Sequence, residues 1–228
     1  MTFFTKESVA FWKGLAKNNT KEWFDEHRKD YEKHLKAPYN ALAAAICEQI
    51  VEVEPEYDTP PKQAVYRINR DIRFSKDKTP YKTELGLTVG RSEKHNTAWP
   101  AYTARLSVKG IWVAGGLYNP GTALRDHMRH YLGATWKELQ KVEKASKKFT
   151  KTYGRLEGDA QKRPLKGLED VVDDEPRVLN TQWVFWGEEM DPKLFIDPKL
   201  DQWILDRWEE AKPVQDWLKK AVSAYEPA

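Results

Sequence analysis

Between Tyr66 and Lys82 the chain reads YRINRDIRFSKDKTPYK, a set of residue types that could hold an anion. Six cations, Arg67, Arg70, Arg73, Lys76, Lys78 and Lys82, stand around two carboxylates, Asp71 and Asp77. Ile68, Ile72, Phe74, Pro80 and Tyr81 are interleaved with them, which a merely solvated charge run has no reason to contain. Guanidinium groups beside apolar surface cost free energy unless they are paired. The segment therefore forms either a buried ion-pair network or a pocket for an anionic ligand. Arg forks suit the second role, because they match phosphate or carboxylate oxygens two at a time.

If Val65 to Phe74 is a strand, alternation places Arg67, Asn69, Asp71 and Arg73 on one face. Tyr66, Ile68, Ile72 and Phe74 fall on the other with Arg70, which then reads as a buried structural partner. Asp71 would hold an Arg in a fixed rotamer and should itself be buried. If the strand ends near Asn69, the assignment fails from Arg70 onward. Ser75 to Pro80 is turn-like, with Asp77 able to fold back onto backbone N–H groups and Lys78 and Lys82 on the rim. Arg67 and Arg73 are expected to converge with at least one of Lys78, Lys82 or Arg129.

Outside this segment the chemistry is sparse. His127 and His130 are three apart on an expected helix, but no third ligand stands at a metal-binding spacing. His95 lies in a polar loop and could reach a site as an acid or base. Trp99, Tyr102, Trp112, Trp183 and Trp186 could stack a ring or fill the core. No nucleophile elbow, Ser/His/Asp order or phosphate-cradling glycine loop stands out. No catalytic residue, metal or cofactor is therefore assigned.

The pattern RxxRDxRFxxDKxPYK resembles the signature of a family of conserved hypothetical proteins of unknown function from bacteria and fungi. FWKGLAKNNTKEWFDEHRKDY near the amino terminus supports it, as do VAGGLYNP followed by Met128-Arg129, and KRPLKG. The resemblance runs from Phe11 to about Gly167. It implies a single-domain α+β fold, an Arg at position 129, which the preceding Gly115 to Tyr118 could bring near the site or which could be a surface Arg near a helix end, and no established activity. EPRVLNTQWVFWGEEM departs from the Pro and Leu-Leu-Arg-x-Lys pattern usual there, within residues 175–190. The candidate ligand-binding set is thus Arg67, Arg70, Asp71, Arg73, Asp77, Lys78, Tyr81, Lys82 and Arg129.

The elements that must position these residues follow from periodicity. Thr5 and Thr20 can cap helices carrying Phe11, Trp12 and Leu15, then Trp23, Phe24 and Tyr31. Pro38 suits the first turn of a third, striped by Leu42, Ile46 and Ile50. Gln63 to Phe74, Glu84 to Gly90, Ala101 to Lys109 and Ile111 to Ala114 read as strands, with Lys109-Gly110 a tight turn and Gly115-Gly116 ending the last. Helices return at Thr122 and, through a capping box at Thr135 to Glu138, again after it. Residues 154–180 read as an irregular excursion, Trp183 to Trp186 as a strand, and Asp197-Pro198 and Pro213 as helix starts. This predicts one α+β domain over residues 1–228, a mainly antiparallel sheet flanked by amino-terminal and carboxy-terminal helices.

The chain has 228 residues, 32% of them charged, with a net charge of +3 and ten Trp, ten Tyr and eight Phe to build a core. Such mild positive charge argues against a whole-surface nucleic-acid binder, though not against a local basic face. Cys47 is alone, which excludes an intrachain disulfide and suits a reducing compartment. No signal peptide or apolar run long enough to span a bilayer is evident, so a cytoplasmic protein without membrane partners is expected. The expected partner is an anionic small molecule. A nucleic-acid-binding module and a structural protein with an ion-pair core are the other readings.

Overall fold

The structure, a computed structural model, describes residues 2–91 and 97–226. Helix α1 (Lys6–Lys17) gives way through Asn18 and Asn19 to α2 (Lys21–Glu26), where the Thr20 hydroxyl accepts the Trp23 N–H at 3.3 Å. After α3 (Arg28–Tyr31), a π-helical turn over Glu32–Lys36 runs directly into α4 (Ala37–Val53), whose first turn holds Pro38. The stripe of Leu42, Ile46 and Ile50 is buried as its spacing requires. A single turn, α5 (Pro61–Ala64), follows the proline-rich loop.

Strands β1 (Leu85–Val89), β2 (Ala101–Leu106), β3 (Ile111–Leu117) and β4 (Trp183–Glu189) form an antiparallel sheet in that spatial order. Leu85, Leu87 and Val89 are buried while Gly86 and Thr88 are half-exposed, and β2 alternates likewise. A tight turn joins β2 to β3, with Ser107 N–H donating to Gly110 C=O at 3.0 Å. The glycine pair lies inside β3 and does not end it. Gly116 has φ of 112°, and a side chain there would collide with the Trp183 carbonyl. With helices at both ends of the chain, this is an α+β fold.

Two helix boundaries differ from expectation. Helix α6 (Thr122–Ala145) runs unbroken through Thr135, whose hydroxyl donates to the Tyr131 carbonyl at 2.7 Å and caps nothing. Helix α8 (Leu200–Ser223) contains Pro213 in its interior. Proline deletes one helical hydrogen bond there, yet Trp208, Ala211, Val214 and Trp217 are all buried, and that apolar face carries the helix through. Helix α7 (Lys147–Tyr153) follows α6, and residues 154–180 hold only short 3-10 turns and isolated bridges.

The chain divides into two compact units. One comprises Met1–Lys94, Thr103–Trp112 and Glu188–Leu205. Its core includes Phe4 stacked on Phe195 at 4.4 Å, with Trp12 edge-on to the same ring at 5.7 Å. The other comprises His95–Tyr102, Val113–Gly187 and Asp206–Ala228. Tyr102 stacks there on Trp208 at 5.3 Å, and Phe185 meets Phe149 and Tyr153 edge-on. Among the described residues no helix is long and apolar enough to cross a membrane.

Candidate anion-binding site

The cationic segment is a hairpin held by two isolated bridges, Val65 with Leu87 and Asn69 with Tyr81, and not a continuous strand. Three residues separate the bridges on the outgoing arm and five on the return, so Thr83 and Glu84 bend and the alternation of faces shifts. Tyr66 therefore lies half-exposed opposite Gly86, where it was expected among the apolar residues, while Ile68 is buried. Arg70 N–H donates to Pro80 C=O and Lys82 N–H to Ile68 C=O, which closes the hairpin below the loop of residues 71–79.

Asp77 organises that loop. Its carboxylate accepts the Thr79 N–H at 2.9 Å and the Thr79 hydroxyl at 2.8 Å, and it pairs with the Arg70 guanidinium. The Thr79 N–H, followed by Arg70, holds its pKa at about 2. Lys78 Nζ donates to the Ile72 carbonyl at 2.9 Å, so it closes the loop. Asp71 is exposed rather than buried, because the chain has left the sheet before reaching it. It accepts from Arg73 Nε and a terminal guanidinium nitrogen at 2.9 and 2.6 Å, and Arg67 lies close enough to help lower its pKa. Phe74, expected on the apolar face, is 94% exposed at the loop tip, with the Arg73 guanidinium 5.9 Å from its ring centroid.

Four side chains of the amino-terminal helical region, Asn19, Phe24, Trp12 and Tyr39, dock this hairpin. Asn19 donates to the Tyr81 carbonyl at 2.9 Å and accepts the Tyr81 N–H at 3.1 Å, so a side chain takes the place of a neighbouring strand. The Tyr81 ring is buried against Phe24, stacked at 4.0 Å. Tyr81 is thus an anchor of the hairpin. Trp12 Nε1 donates to the Thr83 carbonyl at 2.6 Å, and the Tyr39 hydroxyl donates to Gly86 C=O while accepting Tyr66 N–H.

The docked hairpin borders the wet face of β1 and β2. Thr88 and Thr103 share a hydroxyl hydrogen bond of 2.9 Å, a register that sets Gly86 opposite Arg105. The Ser107–Gly110 turn in turn sets Arg105 opposite Trp112. One row therefore runs Tyr66, Gly86, Arg105, Trp112. A Cβ on Gly86 would stand 3.4 Å from the Tyr66 ring, an ordinary van der Waals contact, which shows that the ring lies against the strand there. Trp112 Nε1 donates to Glu188 at 2.9 Å and Arg105 donates to Glu84 at 3.1 Å.

Lys82 Nζ sits 5.5 Å from the Tyr66 ring centroid. Burial, then the charges of Arg67 and Arg105, push its pKa below the ordinary 10.5 against the pull of Glu84. Neither Lys82 nor Arg67 makes a salt bridge or side-chain hydrogen bond among the described residues. These two cations are brought together and left without a bonded carboxylate.

Arg129 is committed to partners of its own. It belongs to the second unit, is 1% exposed, and donates to the Asn180 carbonyl at 2.8 Å and to Asp126 at 3.1 Å. Its guanidinium ties Asn180 to α6, and burial lowers its pKa. Next to it is a network that the sequence reading missed. Arg177 grips Glu175 bidentately at 2.6 and 2.7 Å and donates to Glu143 at 2.7 Å, all three side chains being buried. Glu143 also accepts the Leu156 N–H at 2.8 Å. Its signal was available, since Glu143 follows Leu132 and Leu139 on the buried stripe of α6 and so requires a cation. His127 Nε2 donates to the Ala221 carbonyl, 2.9 Å away, and His95 lies outside the described residues. A cleft of about 690 Å3 in the second unit, lined by Lys147, Lys148, Asp206, Arg207, Glu209 and Glu210, mixes both signs of charge.

A family profile described as conserved hypothetical protein, DUF2461, matches residues 7–217. No curated protein and no solved structure matches the chain.

Proposed function

The chain belongs to the DUF2461 family of conserved hypothetical proteins, and from the geometry of its hairpin we propose that it binds a phosphate- or carboxylate-bearing ligand. The observation that carries this reading is the pair Arg67 and Lys82, held together without a bonded carboxylate while every nearby acid is committed elsewhere. Asp71 serves Arg73, Asp77 serves Arg70, and Glu84 serves Arg105. Mutual repulsion and partial burial make the Lys82 ammonium costly as it stands, and an anion between it and Arg67 would relieve both costs. Arg67 would supply the fork and Lys82 the point charge. Turnover on phosphoryl or acyl groups would use the same cations to stabilise developing negative charge. The reading stops at binding, because the carboxylates in reach are tied to arginines and none is poised as a base.

Thermal unfolding with inorganic pyrophosphate or citrate tests it, since a ligand that binds only the native state stabilises it increasingly as its concentration rises above Kd. The melting temperature should climb with concentration, and Arg67→Ala or Lys82→Met should abolish the climb. An unchanged midpoint with both anions at every concentration would sink the proposal.

A further inference from the structure

We infer that the anion is the backbone of a single-stranded nucleic acid, whose bases stack on the aromatic rings bordering the cations. The inference rests on the anion-binding reading above and adds the class of ligand. Three features of the first unit carry it. The site is an open face and a protruding loop, which suits an extended chain. Arg67, Arg70, Arg73, Lys76, Lys78, Lys82 and Arg105 stand there with Asp71, Asp77, Glu84 and Glu188, an excess of cations that complements a polyanion. Aromatic rings alternate with those cations and are not absorbed by the core.

Phe74 is the clearest case. A ring 94% exposed at a loop tip gains nothing from folding, yet the loop beneath it is tied down by Asp77 and Lys78. Arg73 beside it offers a phosphate contact next to a stacking surface. On the sheet, Tyr66 and Trp112 end a row with Arg105 between them. Three strand spacings separate them, roughly 14 Å. The hydrogen bond from Trp112 Nε1 to Glu188 fixes the half-exposed ring by its edge, and a base would stack on its π-face. Sheet faces bearing aromatics bind single strands in this way, because every unpaired base offers a π-face to a ring and a phosphate to a neighbouring cation. A duplex keeps its base faces stacked inside and could use only the cations. An anionic membrane could take up Phe74 and the loop lysines, but it gives no role to the rings on the sheet.

Fluorescence anisotropy with a labelled oligothymidylate of about fifteen nucleotides is the test. An abasic strand of equal length, a duplex, inorganic polyphosphate and phosphatidylserine vesicles serve as comparisons. The oligothymidylate should bind more tightly than the abasic strand. Phe74→Ala, at an exposed position that folding does not need, should weaken it about five-fold or more and leave polyphosphate binding unchanged. Arg67→Ala should weaken both and lower the salt slope by roughly 0.7. Equal affinity for abasic and thymidylate strands, or binding to vesicles without binding to oligonucleotide, would overturn the nucleic-acid inference and leave the anion site standing. Failure to bind oligonucleotide, polyphosphate and vesicles alike would remove both.

Discussion

Lys82 is a residue whose cost to the fold and use to a ligand run in opposite directions. Its folded pKa lies below the ordinary 10.5, so between the two values the unfolded chain binds more protons and stability rises with pH. At neutral pH the penalty is fully present. Lys82→Met should therefore raise the melting temperature at pH 7, with the gain shrinking as the pH approaches 10.5, while anion binding is lost. A variant that loses stability at pH 7 would mark Lys82 as a structural ion-pair partner instead. Asp77 shows the opposite linkage. Its pKa is held at about 2 against an ordinary 3.8, so its support of the loop is complete above the ordinary value and disappears as pH falls through about 2. Asp77→Asn keeps the shape of the side chain but removes the charge facing Arg70. Amide exchange at Thr79 should accelerate in that variant at neutral pH, with the global melting temperature little changed because the carboxylate is exposed.

At the scale of elements, the helices α1, α2 and α4 and the strands β1 to β4 were legible because each buries one face and leaves the other wet. Reading failed where a remote partner decided the conformation. The Arg67–Phe74 stretch has a strand's alternation, but Asn19 and Trp12 dock its return arm in a register that alternation cannot reveal. The cations of the candidate site were visible as residue types, whereas which acid each one serves depends on that register. Asn19→Ala should therefore destabilise more than an exposed Asn would. It strands the Tyr81 N–H and C=O together, and a loss of about 2 kcal/mol in denaturant unfolding is expected. Asn19→Asp should fall between the two, since it still accepts the N–H but opposes a carbonyl. In the sequence the EPR turn shows only as a departure from a family pattern. Its Arg177→Met variant leaves Glu143 and Glu175 buried without their cation, at an expected cost of about 3–5 kcal/mol in the same measurement. Arg177 also keeps the Glu175 pKa below its ordinary value despite burial, so the stability it contributes is complete above the ordinary value and is lost as pH falls from there through the lowered one.

Across the whole molecule, the first unit is assembled from three stretches of chain, Met1–Lys94, Thr103–Trp112 and Glu188–Leu205. Phe4 and Trp12 complete their core contacts only when Phe195 arrives. During synthesis the cationic hairpin and the helices that clamp it leave the ribosome well before residue 195, so the Phe195 contacts beneath α1 are missing until that residue emerges. Such long-range closure slows folding and prolongs the exposure of apolar surface. In that interval a basic loop and an unburied Trp12 emerge beside a ribosome built largely of RNA. Chaperone demand should therefore follow the delay before residue 195, and chains arrested near residue 187 should stay protease-sensitive at α1 while those arrested after Leu205 has cleared the exit tunnel become resistant.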